Sequence, residues 1–350
     1  MRRVATWLAS LACVVALVSG CASWDSPQAV KLSDELSGAS TVDPRARDGV
    51  VSVDKLDEVE PVTDNPKPAL PVELTDADGN DVTVTDTSRI LALDLYGTYT
   101  KTLRGLGLGP NIVGRTVSST EDSLADVPVV TVGGHDINVE AVLNLKPTLV
   151  IVDHSIGPPE AIEQIRAAGV PTVIMNPTRS LETLGTDIEN VAGVVGLPSE
   201  GATLAKRSVD QVEEARSVIA GLAPETPLRM AFLYARGTGG VFYILGKENS
   251  TEDLIGALGG EDVAAESGIG APSPASPEAL AGLNPEVFVM MTKGLESTGS
   301  ISGLLSRPGV AQTDAGQHSR VLVLPDGDSL AFGPQTGELL LRAAKALYVG

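Results

Sequence analysis

One phrase of this chain occurs twice. Val139-Glu140-Ala141-Val142-Leu143-Asn144-Leu145-Lys146-Pro147-Thr148-Leu149-Val150-Ile151 and Pro277-Glu278-Ala279-Leu280-Ala281-Gly282-Leu283-Asn284-Pro285-Glu286-Val287-Phe288-Val289 align at a constant offset of 138. Each copy reads as a helix with glutamate near its start, a proline that ends it, and an apolar strand. The shared Glu-Ala and Leu-x-Pro predict two lobes related by a pseudo-twofold. Two similar lobes enclose a cleft.

The surroundings of each copy agree. Arg89–Leu93, Val127–Thr131, Thr148–Val152 and Pro171–Met175 read as short, mostly apolar strands separated by helical stretches. Strands apolar throughout belong to a parallel sheet covered on both faces. A long amphipathic stretch from about Ser199 to Leu222 places Leu204, Val212, Ala215, Ile219 and Leu222 at helical spacing. Past Pro224 and Pro227 the alternation restarts at Leu228–Tyr234. The fold class is therefore α/β: two Rossmann-like lobes with parallel sheets, joined by one long rigid helix, with a ligand cleft between them. The divisions are an N-terminal lobe over 69–197, the linking helix over 198–223 and a C-terminal lobe over 224–350.

The first 68 residues differ in kind. Arg2-Arg3, the largely apolar run Val4–Val18 and Leu17-Val18-Ser19-Gly20-Cys21 form a secretory signal over 1–20, too short for a membrane span. Small residues before Cys21 resemble the lipobox of bacterial lipoproteins, which implies acylation of that cysteine and a membrane-anchored chain on the extracytoplasmic face. Cys13 is lost with the signal, so the mature chain has no disulfide. From 21 to 68 the Pro, Asp, Glu and Ser content predicts a disordered acidic tether. Order is expected from the hairpin of Val72-Glu73-Leu74-Thr75 and Val82-Thr83-Val84, with Asp78-Gly79 at its turn.

Charge and motifs exclude several functions. The formal charge is −20, and loss of Arg2 and Arg3 with the signal makes it −22. Nucleic acid is therefore not an expected partner. No G-x-S-x-G, Walker loop, C-x-x-C or H-E-x-x-H is present, and "GLGLGP" at Gly105–Pro110 follows a helix rather than a strand. The chain does not read as an enzyme.

The order of lipobox, "TDADGNDVTV", "RILAL", "GLGPNIVGR", "VEAVLNLKPTLVIVD", linking helix, "LGGEDVA" and "PEALAGLNPEVFVM" resembles the helix-linked class of ABC-transporter substrate-binding proteins. That class includes cobalamin, ferric-siderophore and hemin receptors, and the resemblance covers about residues 70–350. It implies an ABC permease and ATPase as partners, with one glutamate per lobe docking on the permease. Glu140 and Glu278 are the matching positions.

Ligands of open parallel sheets meet the loops at the carboxyl ends of strands. His135 follows Gly133-Gly134 in one such loop, and Tyr234 ends a strand in the other lobe with Arg236 two residues on. A phenol is a weak acid, and a ferric ion or a nearby guanidinium favours its anion. Neutral imidazole suits the opposite axial position of a haem iron. "GGH" and "YARG" make the chain most similar to the HmuT-type hemin-binding lipoproteins. That resemblance implies hemin as transported ligand, His135 and Tyr234 as axial ligands, Arg236 beside the phenol, and pocket roles for Met291 and Tyr348. It also leaves room for upstream surface haem-binding proteins as donors. Residue order alone leaves Met290 or Met291 facing the cleft, His154 competing with His135, and Tyr96 and Tyr99 either lining the gap or capping a helix. His318 reads as solvated. A siderophore or cobalamin receptor is the alternative reading. A zinc or manganese receptor is the second, although three histidines in all are few for its ligand set.

Overall fold

The computed structural model describes residues 27–350, so the expected signal and the Cys21 acylation site lie outside the described residues. The first lobe is built on a four-stranded parallel sheet in the order Ile112–Arg115, Ile90–Leu93, Leu149–Asp153, Thr172–Met175. Its two central strands are buried along their whole length, as their unbroken apolar sequence requires. The hairpin Val72–Thr75 with Asp81–Val84 forms at the expected turn.

The second lobe carries a larger, mixed sheet. Val50–Ser52, Val321–Leu324, Val287–Met291 and Leu228–Arg236 run parallel in that order. Val241–Ile244 then folds back antiparallel on Leu228–Arg236 across Gly237-Thr238-Gly239-Gly240. Four residues rich in glycine make a hairpin loop, and a crossover helix has no room there. One helix, Pro198–Leu222, joins the lobes. Its 25 residues span about 37 Å at 1.5 Å per residue. Leu204, Val212, Ala215, Ile219 and Leu222 lie buried along one side of it. Among the described residues, no helix is long and apolar enough to cross a membrane.

The tether expected over 21–68 requires correction in its described part. Pro27–Leu36 is helical, and Val50–Ser52 is an edge strand of the second-lobe sheet. Val53, Leu56, Val59 and Val62 are all buried although no regular element contains them. Their spacing of three is the period of a polyproline-type chain, which turns every third side chain to one face. Arg45 anchors this strap to the second lobe through Glu286 at 2.7 and 2.8 Å. Val62 anchors it to the first, its N–H donating to Gly105 O at 2.8 Å. The segment thus crosses from one lobe to the other.

The sequence repeat is a structural repeat. Leu149–Asp153 and Val287–Met291 are equivalent strands at the offset of 138. The preceding helices start at Val139 and Pro277, capped by the side chains of Asn138 and Ser276. Lys146 and Asn284, each just before the proline, both adopt positive φ, at 49° and 39°.

Candidate functional site

A cavity of about 550 Å³ opens between the lobes, lined by His135 and Tyr96 from the first and Tyr234, Arg236 and Met291 from the second. Its size falls within the range of small-molecule and cofactor sites. Three neighbouring parallel strands of the second lobe deliver their carboxyl ends to it, contributing Tyr234, Met291 and Asp326. Met291 faces the cleft, whereas Met290 is wholly buried in the core on the sheet's other side.

His135 arrives differently from the expected strand-to-helix loop. Thr131–Val132 and Asp136–Ile137 form a small antiparallel hairpin, and Gly133-Gly134-His135 is its turn. Gly133 and Gly134 have φ of +62° and +95°, which a side chain would strain. The imidazole is exposed at the tip.

Hydrogen-bond accounting separates the three histidines. His154 Nε2 meets both oxygens of Asp78 at 2.9 and 3.0 Å, and His318 Nδ1 meets Asp48 at 2.8 Å. His135 alone has no side-chain partner among the described residues, and it alone lines the cleft. His154 as a pocket residue is therefore corrected: Asp78, on the Val72–Val84 hairpin, holds it outside. Tyr348 is corrected too. It is fully buried, its hydroxyl donates to Leu258 O at 2.6 Å, and burial pushes its pKa up. Its place at the end of an amphipathic helix left the side it faces open, and that side is the core.

Tyr234 has the opposite setting. Its hydroxyl has no partner among the described residues, while the Arg236 guanidinium lies 4.6 Å over its ring. Arg236 donates to Ala235 O at 3.0 Å and to Asp326 Oδ1 at 3.1 Å. The ring's quadrupole attracts the guanidinium to that face. Opposite stands Tyr96, whose pKa burial raises against the pull of Arg179. Arg179 sits 5.3 Å from the Tyr96 ring and 4.8 Å from the Tyr99 ring. It pairs with buried Asp94 and Asp153 at 3.3 and 2.5 Å, and Tyr99 donates to Asp153 at 2.6 Å. Tyr96 thus lines the gap, and Tyr99 belongs to a buried ionic cluster behind it.

Sequence reasoning missed Tyr243, Lys293 and Asp326, all of which line the cavity. Tyr243 is the cross-strand partner of Tyr234, and Asp326 follows the apolar strand Val321–Leu324. The carboxyl-end rule that marked Tyr234 marks Asp326 as well. Among the described residues, no group of three or more His, Cys, Asp or Glu is arranged to hold a metal ion.

Two α/β lobes, a single linking helix and a ligand cleft walled by both lobes are the architecture of a substrate-binding protein. The profile of the family described as periplasmic binding protein matches residues 94–327, and the chain belongs to that family. A solved structure of the heme binding protein HmuT is 66% identical, with a TM-score of 0.87, and the alignment covers 88% of this chain and 100% of that one. Three further structures of HmuT carry alanine in place of an arginine, a histidine or a tyrosine. The periplasmic heme-binding protein RhuT from Roseiflexus sp. RS-1 is 35% identical, with a TM-score of 0.68, covering 75% of this chain and 100% of its own. The ABC transporter substrate-binding lipoprotein YvrC of Bacillus subtilis is 24% identical over 280 residues, 79% of this chain and 86% of that protein.

Proposed function

We propose that this protein captures one hemin in the cleft between its lobes, with His135 and Tyr234 as axial ligands, and delivers it to an ABC permease. The observation that carries the reading is the convergence of two unpartnered donors, an imidazole from one lobe and a phenol from the other, on one cavity. Ferric iron prefers a hard anionic oxygen, and the Tyr234 hydroxyl reaches the cavity with no partner among the described residues. The histidine, tyrosine and arginine replaced in the HmuT structures follow one another at the same separations as His135, Tyr234 and Arg236, which supports the same assignment. Met291 and Tyr96 contribute apolar wall to the porphyrin. Acylation of Cys21 anchors the chain on the outer face of the membrane, and Glu140 and Glu278 dock it on the permease.

Titration of the mature protein with ferric hemin tests the reading. Saturation is expected at one equivalent, with a shifted Soret band and a phenolate-to-iron charge-transfer band that Tyr234→Phe abolishes. A spectrum equal to that of free hemin would remove haem from the cleft.

A further inference from the structure

The charged side chains that line the cleft balance one another except at one place. We propose that Lys293 is a specificity-determining residue: its ammonium takes a propionate carboxylate of hemin at the mouth of the cleft, so that the protein selects porphyrins that carry these acids. This rests on the cleft holding hemin.

Apart from the histidine, three ionisable side chains of settled charge line the cavity, Arg236, Asp326 and Lys293. Arg236 and Asp326 lie 3.1 Å apart and offset each other. Lys293 is exposed, and its ammonium has neither an ion-pair nor a hydrogen-bond partner among the described residues. Local structure gives no other reason for it, because a lysine in the first turn of the helix Thr292–Ser297 stands against the helix dipole. The cavity is therefore left with one unmatched positive charge, on a chain whose formal charge is −20.

Placement agrees with charge. Leu233 and Met290 are paired in register, which sets Met291 level with Tyr234 on the neighbouring strand. Lys293 comes two residues later, past the carboxyl end of that strand and on the solvent side. Its backbone is pinned there, the N–H donating to Asp326 Oδ2 at 2.8 Å. An iron held at Tyr234 has the porphyrin rim around it, and the carboxylates are the part of that rim most costly to take out of water. They belong at the open side, where the long lysine stem can carry its ammonium to them. Ferric hemin combines one positive charge at the iron with two carboxylates and is a net anion. The acidic chain as a whole repels it, and a local cation at the mouth draws it in.

The test titrates the wild-type chain, Lys293→Ala and Lys293→Arg with ferric hemin and with its dimethyl ester, in which both acids are neutral and the iron is unchanged. Dissociation constants are read from the Soret band at low and at high salt. Lys293→Ala is expected to weaken hemin binding by roughly three- to tenfold at low salt, between the loss of an exposed ion pair and that of a charge-assisted hydrogen bond, and salt should narrow the gap. Lys293→Arg keeps the charge and should recover most of the loss. The ester should bind the wild type and Lys293→Ala alike, because no carboxylate remains to be met. The ammonium has no polar partner within the protein, so its removal leaves the fold intact, which equal urea midpoints check. Hemin held equally by the wild type and Lys293→Ala, or an ester weakened as much as hemin, overturns the assignment. A wild-type chain that leaves the spectrum of free hemin unaltered is a different result, which removes haem from the cleft and the functional reading with it.

Discussion

A tyrosine hydroxyl is buried only with a partner, and this rule sorts the aromatic residues of the chain. Tyr99 donates to Asp153 and Tyr348 to Leu258 O, both at 2.6 Å, so neither hydroxyl is available to a ligand. Tyr234 presents its oxygen to the cleft without a partner. Tyr348→Phe should therefore lower unfolding free energy by about 1–3 kcal/mol, because a buried carbonyl loses its donor. Urea denaturation reads that loss, and the hemin spectrum should be unchanged; an altered Soret band would restore Tyr348 to the pocket. His154→Ala should likewise leave the spectrum alone, since Asp78 already holds that ring.

The strap over residues 43–66 turns a local ion pair into a contribution to the whole fold. Burial pushes the Glu286 carboxyl up, but the Arg45 hydrogen bonds, the Arg229 backbone N–H and the charges of both arginines together hold it below its ordinary value of 4.5. A carboxyl depressed in the folded state stabilises that state above its unfolded pKa and loses the contribution as pH falls through the folded value. Below about pH 4.5, the edge strand Val50–Ser52 and the Val53 amide, which donates to Val323 O, should open more often. Hydrogen exchange of these amides, corrected for intrinsic rate, measures the effect. Glu286→Gln should flatten its pH dependence, and an unchanged slope would show that another group fastens the strap. Sequence composition concealed this element because acidic and proline residues surround its few apolar ones. The period of three at Val53, Leu56, Val59 and Val62 was legible, but it is neither the helical nor the strand period by which order is ordinarily recognised.

The repeat at offset 138 carried most of the architecture into view, because it specifies a capped helix, a left-handed residue, a proline and a buried strand twice over. What it left hidden are contacts between segments far apart in the chain, such as Lys101 with Asp328 or Tyr348 with Leu258 O, which no local pattern records. The same repeat places Glu140 and Glu278 at equivalent points, each exposed in the first turn of its helix. Neither carboxylate has an ion-pair partner among the described residues, so both are free to meet cationic groups of a partner. The packed strap would also shorten the reach of the anchor proposed at Cys21. From Cys21 to the buried Ala29, even a fully extended chain spans only about 30 Å, so an acylated protein would stand close to a permease in the same membrane. Replacing both residues, Glu140→Arg with Glu278→Arg, should abolish hemin uptake by cells while the purified variant still binds one hemin with an unaltered spectrum. Loss of a favourable helix-dipole contact at each site costs about 0.3–1 kcal/mol, too little to unfold the chain. Each single reversal should reduce uptake less, since the other lobe still docks. Uptake of the double variant at the wild-type rate would mean that the permease reads some other surface of the two lobes.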